Sequence, residues 1–300
     1  MENTISGVMP AVITPRDDDG AVAVKQIQPL VDFLFSKGVD GLFVCGTTGE
    51  GISLTVEERK LVLENIIESA AGRGKIIAHV GAVSARDAYE LAEHAGKAGA
   101  DAVSSVPPFY YRLGLEEIKR HYGRIRDLSR RPVLIYDIPS ATNVTLTPAM
   151  VTEMVEDGLV CGIKNPRAYL YDIDTLARLN NGRCVVFTGE TQYASCLIAG
   201  YTAGTIGSVA NWAPEFLVGI KKNVEAGNHS RACELQRFML RVFAVYAAAE
   251  IAATKTLVGH RGIFCGDPWP PLRSLNSGEK QALCRAIDEF KLDYDALTRT

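Results

Sequence analysis

Gly158-Leu-Val-Cys-Gly-Ile-Lys164 is an apolar run that ends in a lysine, a pattern typical of a buried strand. A lysine in that place is unfavourable unless its amine has a partner or a chemical role. About one strand earlier, Val133-Leu-Ile-Tyr136 is a second apolar run, and it ends in a phenol. The sequence therefore predicts two neighbouring buried strands, each of which ends in a group that can exchange a proton.

Apolar runs of this kind alternate with amphipathic helical patterns along the chain. The predicted strands are Val8–Thr14, Gly41–Cys45, Ile76–Val80, Asp101–Val106, Val133–Asp137, Val160–Lys164, Cys184–Thr188 and Thr205–Val209. Helix starts follow them: Thr55 and Glu58 form a capping-box pattern, and Thr147 is an N-cap before Pro148. The helix predicted at Glu57–Ala71 carries Leu61, Val62, Ile66 and Ile67 on one face. Helices between successive strands require parallel pairing. Eight such units predict a (β/α)8 barrel (a TIM barrel) rather than an open, doubly wound sheet.

The chain continues beyond the eighth unit with a helical pattern. Periodicity predicts helical segments at Glu215–Ala226, at Ser230–Leu257, which a break can divide, and at Gly278–Tyr294. We therefore expect residues 1–225 to form the barrel with the active site. Residues 226–300 are expected to form a C-terminal helical domain that packs on the barrel or between subunits.

Composition narrows the class of protein. A net charge of −3 and the lack of a basic run argue against a nucleic-acid partner. The richest apolar stretch, Phe238–Ala253, is interrupted by Arg241 and Glu250, so no membrane partner is expected. The seven cysteines are odd in number and scattered, and residues 1–4 do not begin a signal-peptide pattern. We therefore expect a reduced, cytoplasmic protein.

Functional side chains in such barrels collect at the C-terminal ends of the strands. Here those ends carry Gly46-Thr-Thr-Gly-Glu50, Pro107-Pro-Phe-Tyr-Tyr111, Tyr136, Lys164, Gly189-Glu190 and Gly204-Thr-Ile-Gly-Ser208. This hydroxyl-rich ring contains no histidine, and the five histidines of the chain show no metal-ligand spacing. A metal-dependent reaction is therefore disfavoured. A buried, neutral amine at Lys164 beside the phenol of Tyr136 predicts Schiff-base chemistry on a keto compound.

Each of these groups also has an ordinary structural interpretation. Lys164 could extend from a strand end to solvent, and Tyr136 could be a core tyrosine with a satisfied hydroxyl. Gly46–Glu50 could be only a strand–helix turn. Glu50 is predicted to be a hydrogen-bond partner within that loop and is given no catalytic step.

The chain resembles the dihydrodipicolinate synthase/N-acetylneuraminate lyase family of class I, pyruvate-type aldolases. The resemblance covers nearly the whole length and depends on five motifs in family order. These are Gly46-Thr-Thr-Gly-Glu50, Pro108-Phe-Tyr-Tyr111, Ile135-Tyr-Asp-Ile-Pro139, Gly162-Ile-Lys164 and Gly204-Thr-Ile-Gly-Ser208. The family implies a barrel with a helical C-terminal domain, assembled as a homotetramer that is a dimer of dimers.

The resemblance also implies catalytic roles. Lys164 matches the lysine that forms an imine with the C2 ketone of pyruvate or a 2-keto acid, so no metal or organic cofactor is implied. Tyr136 matches the tyrosine that moves protons near the imine. Tyr110 matches a tyrosine that is donated across the dimer interface to a hydroxyl relay through Thr47.

Substrate contacts follow from the same resemblance. Thr47 and Thr48 match the pair that holds the keto-acid carboxylate, and Gly46 lets the backbone approach that anion closely. Further contacts are expected at Glu190, Ile206 and Ser208, where the stretch Gly204–Ser208 could line the site for the distal half of a keto acid or could bind phosphate.

Departures from the family pattern bear on the substrate. Dihydrodipicolinate synthases carry an arginine where this chain has Ala141, and alanine cannot pair with the carboxylate of the aldehyde substrate. Arg112 and Arg167 lie near strand ends and could supply a replacement charge. Sialic acid lyases carry a threonine where this chain has Pro166, and the acidic pair after the seventh strand is altered to Gly189-Glu-Thr-Gln192.

These features predict a class I lyase that joins or separates pyruvate and an aldehyde, acting on a 2-keto-3-deoxy sugar acid or an N-acetylneuraminate-like substrate. Three alternatives stay open at this point: a dihydrodipicolinate synthase, disfavoured by Ala141, a dehydratase that uses the same imine, and a non-catalytic keto-acid-binding protein. A purely structural role would leave the ring of strand-end groups unexplained.

Overall fold

Parallel strands form the frame of the molecule in the computed structural model, which describes residues 5–167, 169–179 and 184–298. Residues 1–4, on which the expectation about a signal segment depends, lie outside the described residues. The strands are Gly7–Pro10 (β1), Gly41–Val44 (β2), Lys75–His79 (β3), Ala102–Ser105 (β4), Val133–Tyr136 (β5), Gly162–Asn165 (β6), Val185–Thr188 (β7) and Gly204–Gly207 (β8). Each lies within two residues of the start predicted for it, although β1 ends earlier than predicted.

The strands pair in the order β1-β8-β7-β6-β5-β4-β3-β2, and every pairing is parallel. The sheet returns on itself through a bridge between Ala11, just after β1, and Phe43 of β2. At the same place the Val12 N–H donates to the Phe43 carbonyl at 2.9 Å. The prediction of a (β/α)8 barrel is confirmed.

Helices cover the outside of the barrel. They are Ile27–Ser36 (α1), Val56–Ala70 (α2), Ala85–Ala98 (α3), Leu115–Ser129 (α4), Pro139–Thr142 (α5), Pro148–Glu156 (α6), Leu170–Leu179 (α7), Tyr193–Ile198 (α8), Pro214–Glu225 (α9), His229–Tyr246 (α10), Glu250–His260 (α11) and Ser277–Thr298 (α12). The predicted capping box at the start of α2 is present, with Thr55 and Glu58 bonded in both directions. Thr147 caps α6 ahead of Pro148, as predicted.

The apolar stripe predicted on α2 is confirmed in part. Val62 and Ile66 are buried as predicted, but Leu61 is 39% exposed. The buried face also includes Leu63 and Arg59. The guanidinium of Arg59 donates to the carbonyl of Gly81 at 2.9 Å.

Two apolar clusters stabilise the fold, one between the barrel and the helices and one inside the barrel. The inner cluster includes Met9, Phe43, Leu134, Tyr136 and Phe187. Side chains alternate along each strand, so the residues next to an outward-facing one point into the barrel. Ile163 belongs to the outer cluster, and the next residue of β6 is therefore directed inward.

The C-terminal part is helical, as expected. The predicted segment Ser230–Leu257 is divided into α10 and α11 by a single 3-10 turn at Ala247–Ala249. α10 packs on α9, with the rings of Phe216 and Phe238 5.4 Å apart between centroids. The boundary between residues 225 and 226 stays a prediction. Within the described part of the chain no single helix is long and apolar enough to cross a membrane, and α10 and α11 pass that test only together, across a 110° bend.

Gly162 is expected to be essential to β6, because a Cβ there would lie 2.0 Å from the carbonyl oxygen of Val185 in β7. Gly162→Ala should therefore lower the free energy of unfolding by about 1–3 kcal/mol. Gly259→Ala is the matched control, at an exposed position of α11 where a Cβ meets nothing within 4 Å. It should raise stability by about 0.5–1 kcal/mol through helix propensity. Urea unfolding measures both, and equal effects would contradict the packing argument.

Candidate active site

Lys164 lies on the inner face of the barrel, at the C-terminal end of β6. Its register partner on β5 is Tyr136. The lysine is 4% exposed, and its Nζ lies 4.0 Å from the centroid of the Tyr136 ring and 4.5 Å from that of Phe43. The amine therefore contacts the faces of two aromatic rings rather than bulk water.

The hydroxyl of Tyr136 continues this arrangement toward β2. It lies 3.1 Å from Oγ1 of Thr47, and either oxygen can donate in that hydrogen bond. Tyr136 is 3% exposed, whereas Thr47 is exposed at the barrel mouth. The structure thus brings together three of the four predicted catalytic residues: an amine, a phenol and a hydroxyl in sequence from the interior to the surface.

Two further side chains, Phe43 and His79, fix the orientation of the tyrosine. Neither was assigned a role from the sequence. The rings of Phe43 and His79 contact Tyr136 edge-on, at centroid distances of 5.8 Å and 5.6 Å. Burial lowers the pKa of His79 well below its usual value, and its Nδ1 lies 3.1 Å from the Cys45 carbonyl oxygen. A neutral histidine therefore packs against the phenol. The alternation of inward positions on β2 could have indicated Phe43.

The loop after β2 has a single tight conformation. Thr48 is buried, and a Cβ on Gly51 would lie 2.0 Å from the carbonyl oxygen of Cys45, so only glycine fits there. Thr14 Oγ1 donates to the Gly49 carbonyl at 2.7 Å. Glu50 has a left-handed backbone, with φ of +54°. The predicted carboxylate-binding residues therefore stand on a rigid turn.

Glu190 and Ser208 meet on the opposite side of the mouth. Ser208 Oγ donates to Glu190 Oε1 at 3.0 Å, and the Val209 N–H donates to Oε2 at 3.1 Å. Glu190 is 5% exposed, and burial, with a smaller contribution from the charge of Glu250, raises its pKa to about 7. Ile206, also a predicted contact, belongs to the inner cluster beside them.

Tyr110 is placed differently from the other predicted catalytic residues. It is 76% exposed, and its ring packs edge-on against Tyr111 with 5.2 Å between centroids. A side chain that is donated to a neighbouring subunit is exposed in a single chain. The predicted role of Tyr110 in a relay through Thr47 stays a prediction.

Arg167 is committed to carboxylates of the chain itself. Its guanidinium pairs with Asp137 at 2.6 Å and with Asp172 at 3.2 Å. Asp137 is fully buried, and burial raises its pKa while Arg167 opposes that shift. Arg167 is thus already paired with two carboxylates through one terminal nitrogen, and the suggestion that it supplies a replacement charge for Ala141 stays a prediction. Arg112 is exposed beside Tyr111.

Other chemical groups give little sign of a second centre. No group of three or more His, Cys, Asp or Glu side chains within residues 5–167, 169–179 and 184–298 could hold a metal ion. The seven cysteines are free. Burial raises the pKa of both Cys45 and Cys161 to about 11, so these thiols stay protonated and act as core side chains.

Fold and site together define a (β/α)8 barrel with a buried lysine on the sixth strand, paired in register with a tyrosine on the fifth. The family model of the dihydrodipicolinate synthetase family matches residues 4–290. The chain belongs to this family, as its motifs indicated.

Individual relatives support this family assignment. The chain is 33% identical to the N-acetylneuraminate lyase of Citrobacter koseri over 96% of its own length and 98% of the relative's. It superimposes with a TM-score of 0.91 on a catalytic lysine mutant of the sialic acid aldolase of Ruminococcus gnavus, at 29% identity, with 98% and 99% of the two chains covered. It is similar to YagE of Escherichia coli K12 in complex with pyruvate, with a TM-score of 0.91, 26% identity, and coverage of 97% and 100%.

The raised pKa of Glu190 predicts a pH-dependent stability. The folded protein holds this proton more strongly than the unfolded chain does. The contribution of Glu190 is therefore fully present below about pH 4.5 and is lost as the pH rises through about 7. Denaturant unfolding of the intact protein should give a lower free energy of unfolding at pH 8 than at pH 5. This difference should be smaller in Glu190→Gln. Glu116→Gln, at an exposed position on α4, should keep the original pH dependence. An unchanged profile in Glu190→Gln would contradict the assignment.

Proposed function

We propose that this protein is a Schiff-base-forming lyase that reversibly cleaves a 2-keto-3-deoxy sugar acid or an N-acetylneuraminate-like acid into pyruvate and an aldehyde. One observation carries the proposal: the Lys164 amine is buried 4.0 Å from the ring of Tyr136, whose hydroxyl is bonded to Thr47. Family membership, the lyase relative and the pyruvate complex of YagE support it.

In the proposed mechanism each group has a step. Lys164 Nζ adds to the C2 carbonyl of the keto acid, and loss of water leaves a protonated imine. The C3–C4 bond then breaks, its electron pair moves into the imine to give an enamine, and the C4 hydroxyl becomes an aldehyde as it loses its proton. Tyr136 and Thr47 receive that proton and return one to C3. Water then releases pyruvate and restores the amine.

Substrate contacts, assembly and location are part of the same proposal. Thr47 and Thr48 hold the carboxylate beside Gly46, and Glu190, Ile206 and Ser208 contact the distal part. Tyr110 completes the relay from a second subunit of a homotetramer in the cytoplasm. The exposure of Tyr110 and Tyr111 is consistent with such an interface.

Dihydrodipicolinate synthesis is not favoured. Ala141 cannot bind the carboxylate of the aldehyde substrate, and the Arg167 guanidinium is already paired with Asp137 and Asp172. The sugar-acid relatives point the same way.

Borohydride reduction in the presence of pyruvate should add one three-carbon unit to Lys164, because the imine is the species that is reduced. Peptide mass mapping locates the adduct. Lys255, a second lysine that is buried in the described part of the chain, is an internal control, since its amine is paired with Glu50 at 2.6 Å and should stay unmodified.

Lys164→Ala should abolish trapping. Lack of an adduct in the intact protein, or its appearance on Lys255, would refute the mechanism.

Tyr136→Phe separates imine formation from proton transfer. The variant keeps the ring under Lys164 but loses the hydroxyl that bonds Thr47. We expect trapping with pyruvate to persist while the cleavage rate falls by about 100- to 10,000-fold. Pyruvate release from a panel of sugar-derived keto acids, sialic acid included, measures that rate and identifies the substrate. A fall of less than a few-fold would exclude a proton-transfer role.

Pyruvate bound without any turnover in the intact protein would indicate a binding protein, and release of water without pyruvate would indicate a dehydratase.

A further inference from the structure

A buried ion pair joins the loop after β2 to the C-terminal helices. Glu50 Oε1 and Lys255 Nζ are 2.6 Å apart, and their side chains are 0% and 1% exposed. The second carboxylate oxygen of Glu50 accepts the backbone N–H of Trp269 at 2.6 Å. Lys255 Nζ also donates to the Asp267 carbonyl at 3.2 Å and lies over the Trp269 ring, 4.5 Å from its centroid. Both charges are therefore fully engaged by protein groups.

Stability alone does not account for this pair. Removing two ions from water costs several kcal/mol for each ion, and an apolar pair of similar volume is often as stable. Burial lowers the pKa of Lys255, and the charge of Glu50 opposes that shift. What the pair provides, and an apolar contact does not, is a fixed distance and direction between the elements that carry it.

The first of these elements is the loop that carries Thr47 and Thr48. Glu50 ends it with a φ of +54°, a left-handed conformation that is unfavourable for a residue other than glycine. The conformation is held because one carboxylate oxygen is ion-paired with Lys255 and the other accepts the Trp269 N–H. The side chain of Glu50 thus fixes the backbone two and three residues before it.

The second element is α11, whose first turn faces the same loop. Thr47 and Thr48, together with Glu250, Ile251 and Ala252 of α11, line a cavity of about 340 Å3. Lys255 follows Ile251 by four residues, so it lies on the same face of the helix. The ion pair therefore connects the two walls of this cavity, which has the size of a small-molecule site.

We propose that Glu50 and Lys255 are positioning residues, which hold Thr47 and Thr48 at the place where they bind the keto-acid carboxylate and fix α11 as the facing wall. This inference rests on the proposed function. Neither residue is given contact with the reacting atoms. The C-terminal helices on this view support the loop that carries Thr47 and Thr48 and are not only an assembly surface.

Glu50→Asp tests the proposal with the charge retained. The shorter side chain cannot reach both Lys255 and the Trp269 N–H, so the loop should lose its fixed position. In borohydride trapping, the half-saturating pyruvate concentration should rise by about tenfold, equivalent to about 1.4 kcal/mol of binding free energy. The extent of trapping at saturating pyruvate should equal that of the intact protein, because Lys164 is untouched.

Two further variants separate positioning from stability. The double variant Glu50→Gln, Lys255→Met removes both charges, so it should recover stability lost in Lys255→Met while keeping the raised half-saturating concentration. Met239→Ala lowers stability through a cavity at a fully buried position of α10 and should leave that concentration unchanged.

The possible results decide between the proposals. An unchanged half-saturating concentration in both Glu50 variants, with normal trapping in the intact protein, would overturn the positioning role and leave the Lys164 mechanism standing. An equal rise in Met239→Ala would also overturn it, since loss of stability would then explain the effect. Absence of trapping in the intact protein would overturn both proposals.

Discussion

The contact between the Lys164 amine and the aromatic faces of Tyr136 and Phe43 is the constraint on which the rest of the structure depends. A lysine is tolerated inside a barrel only where its surroundings stabilise it and its reaction uses it. Strand register supplies the first ring, and the closure of the sheet at Phe43 supplies the second. The amine therefore contacts both aromatic rings only when the barrel is closed.

Around that contact the mouth is divided into regions of different chemistry. Hydroxyl groups of Thr47 and Thr48 line one side, and the buried carboxyl of Glu190 with Ser208 lines the other. Three cations of this region are paired with carboxylates of the chain: Arg167 with two aspartates, Lys255 with Glu50, and Arg273, which lines the cavity beside Thr47 and Thr48, with Glu279. A distal substrate half that offers hydroxyl groups suits such surroundings better than one that carries a second carboxylate.

The local sequence pattern was sufficient to predict much of the fold and of the candidate site. Alternating apolar runs predicted eight strands, and the residues at their ends predicted Lys164, Tyr136 and Thr47. The sequence pattern failed where a residue's partner is far away in the sequence, or where several elements together form its surroundings. Glu50 meets the Trp269 N–H from 219 residues away, and no periodicity links them. Leu61 was misplaced on α2, whose buried face includes an arginine, Arg59, that donates to the carbonyl of Gly81. His79 gave no signal, since a neutral histidine in a core behaves like any other aromatic side chain.

The Asp137–Arg167–Asp172 cluster limits how this scaffold can change. A dicarboxylic substrate would require a cation near the mouth. Arg167 is such a cation, but it is paired with both Asp137 and Asp172. Releasing it by replacing Asp172 would still leave Asp137, fully buried next to the tyrosine, as its competitor. Replacing Asp137 as well would disturb the strand that presents the phenol. New specificity for a second acid group would be easier to obtain by installing a fresh arginine at position 141 than by recruiting the one already there.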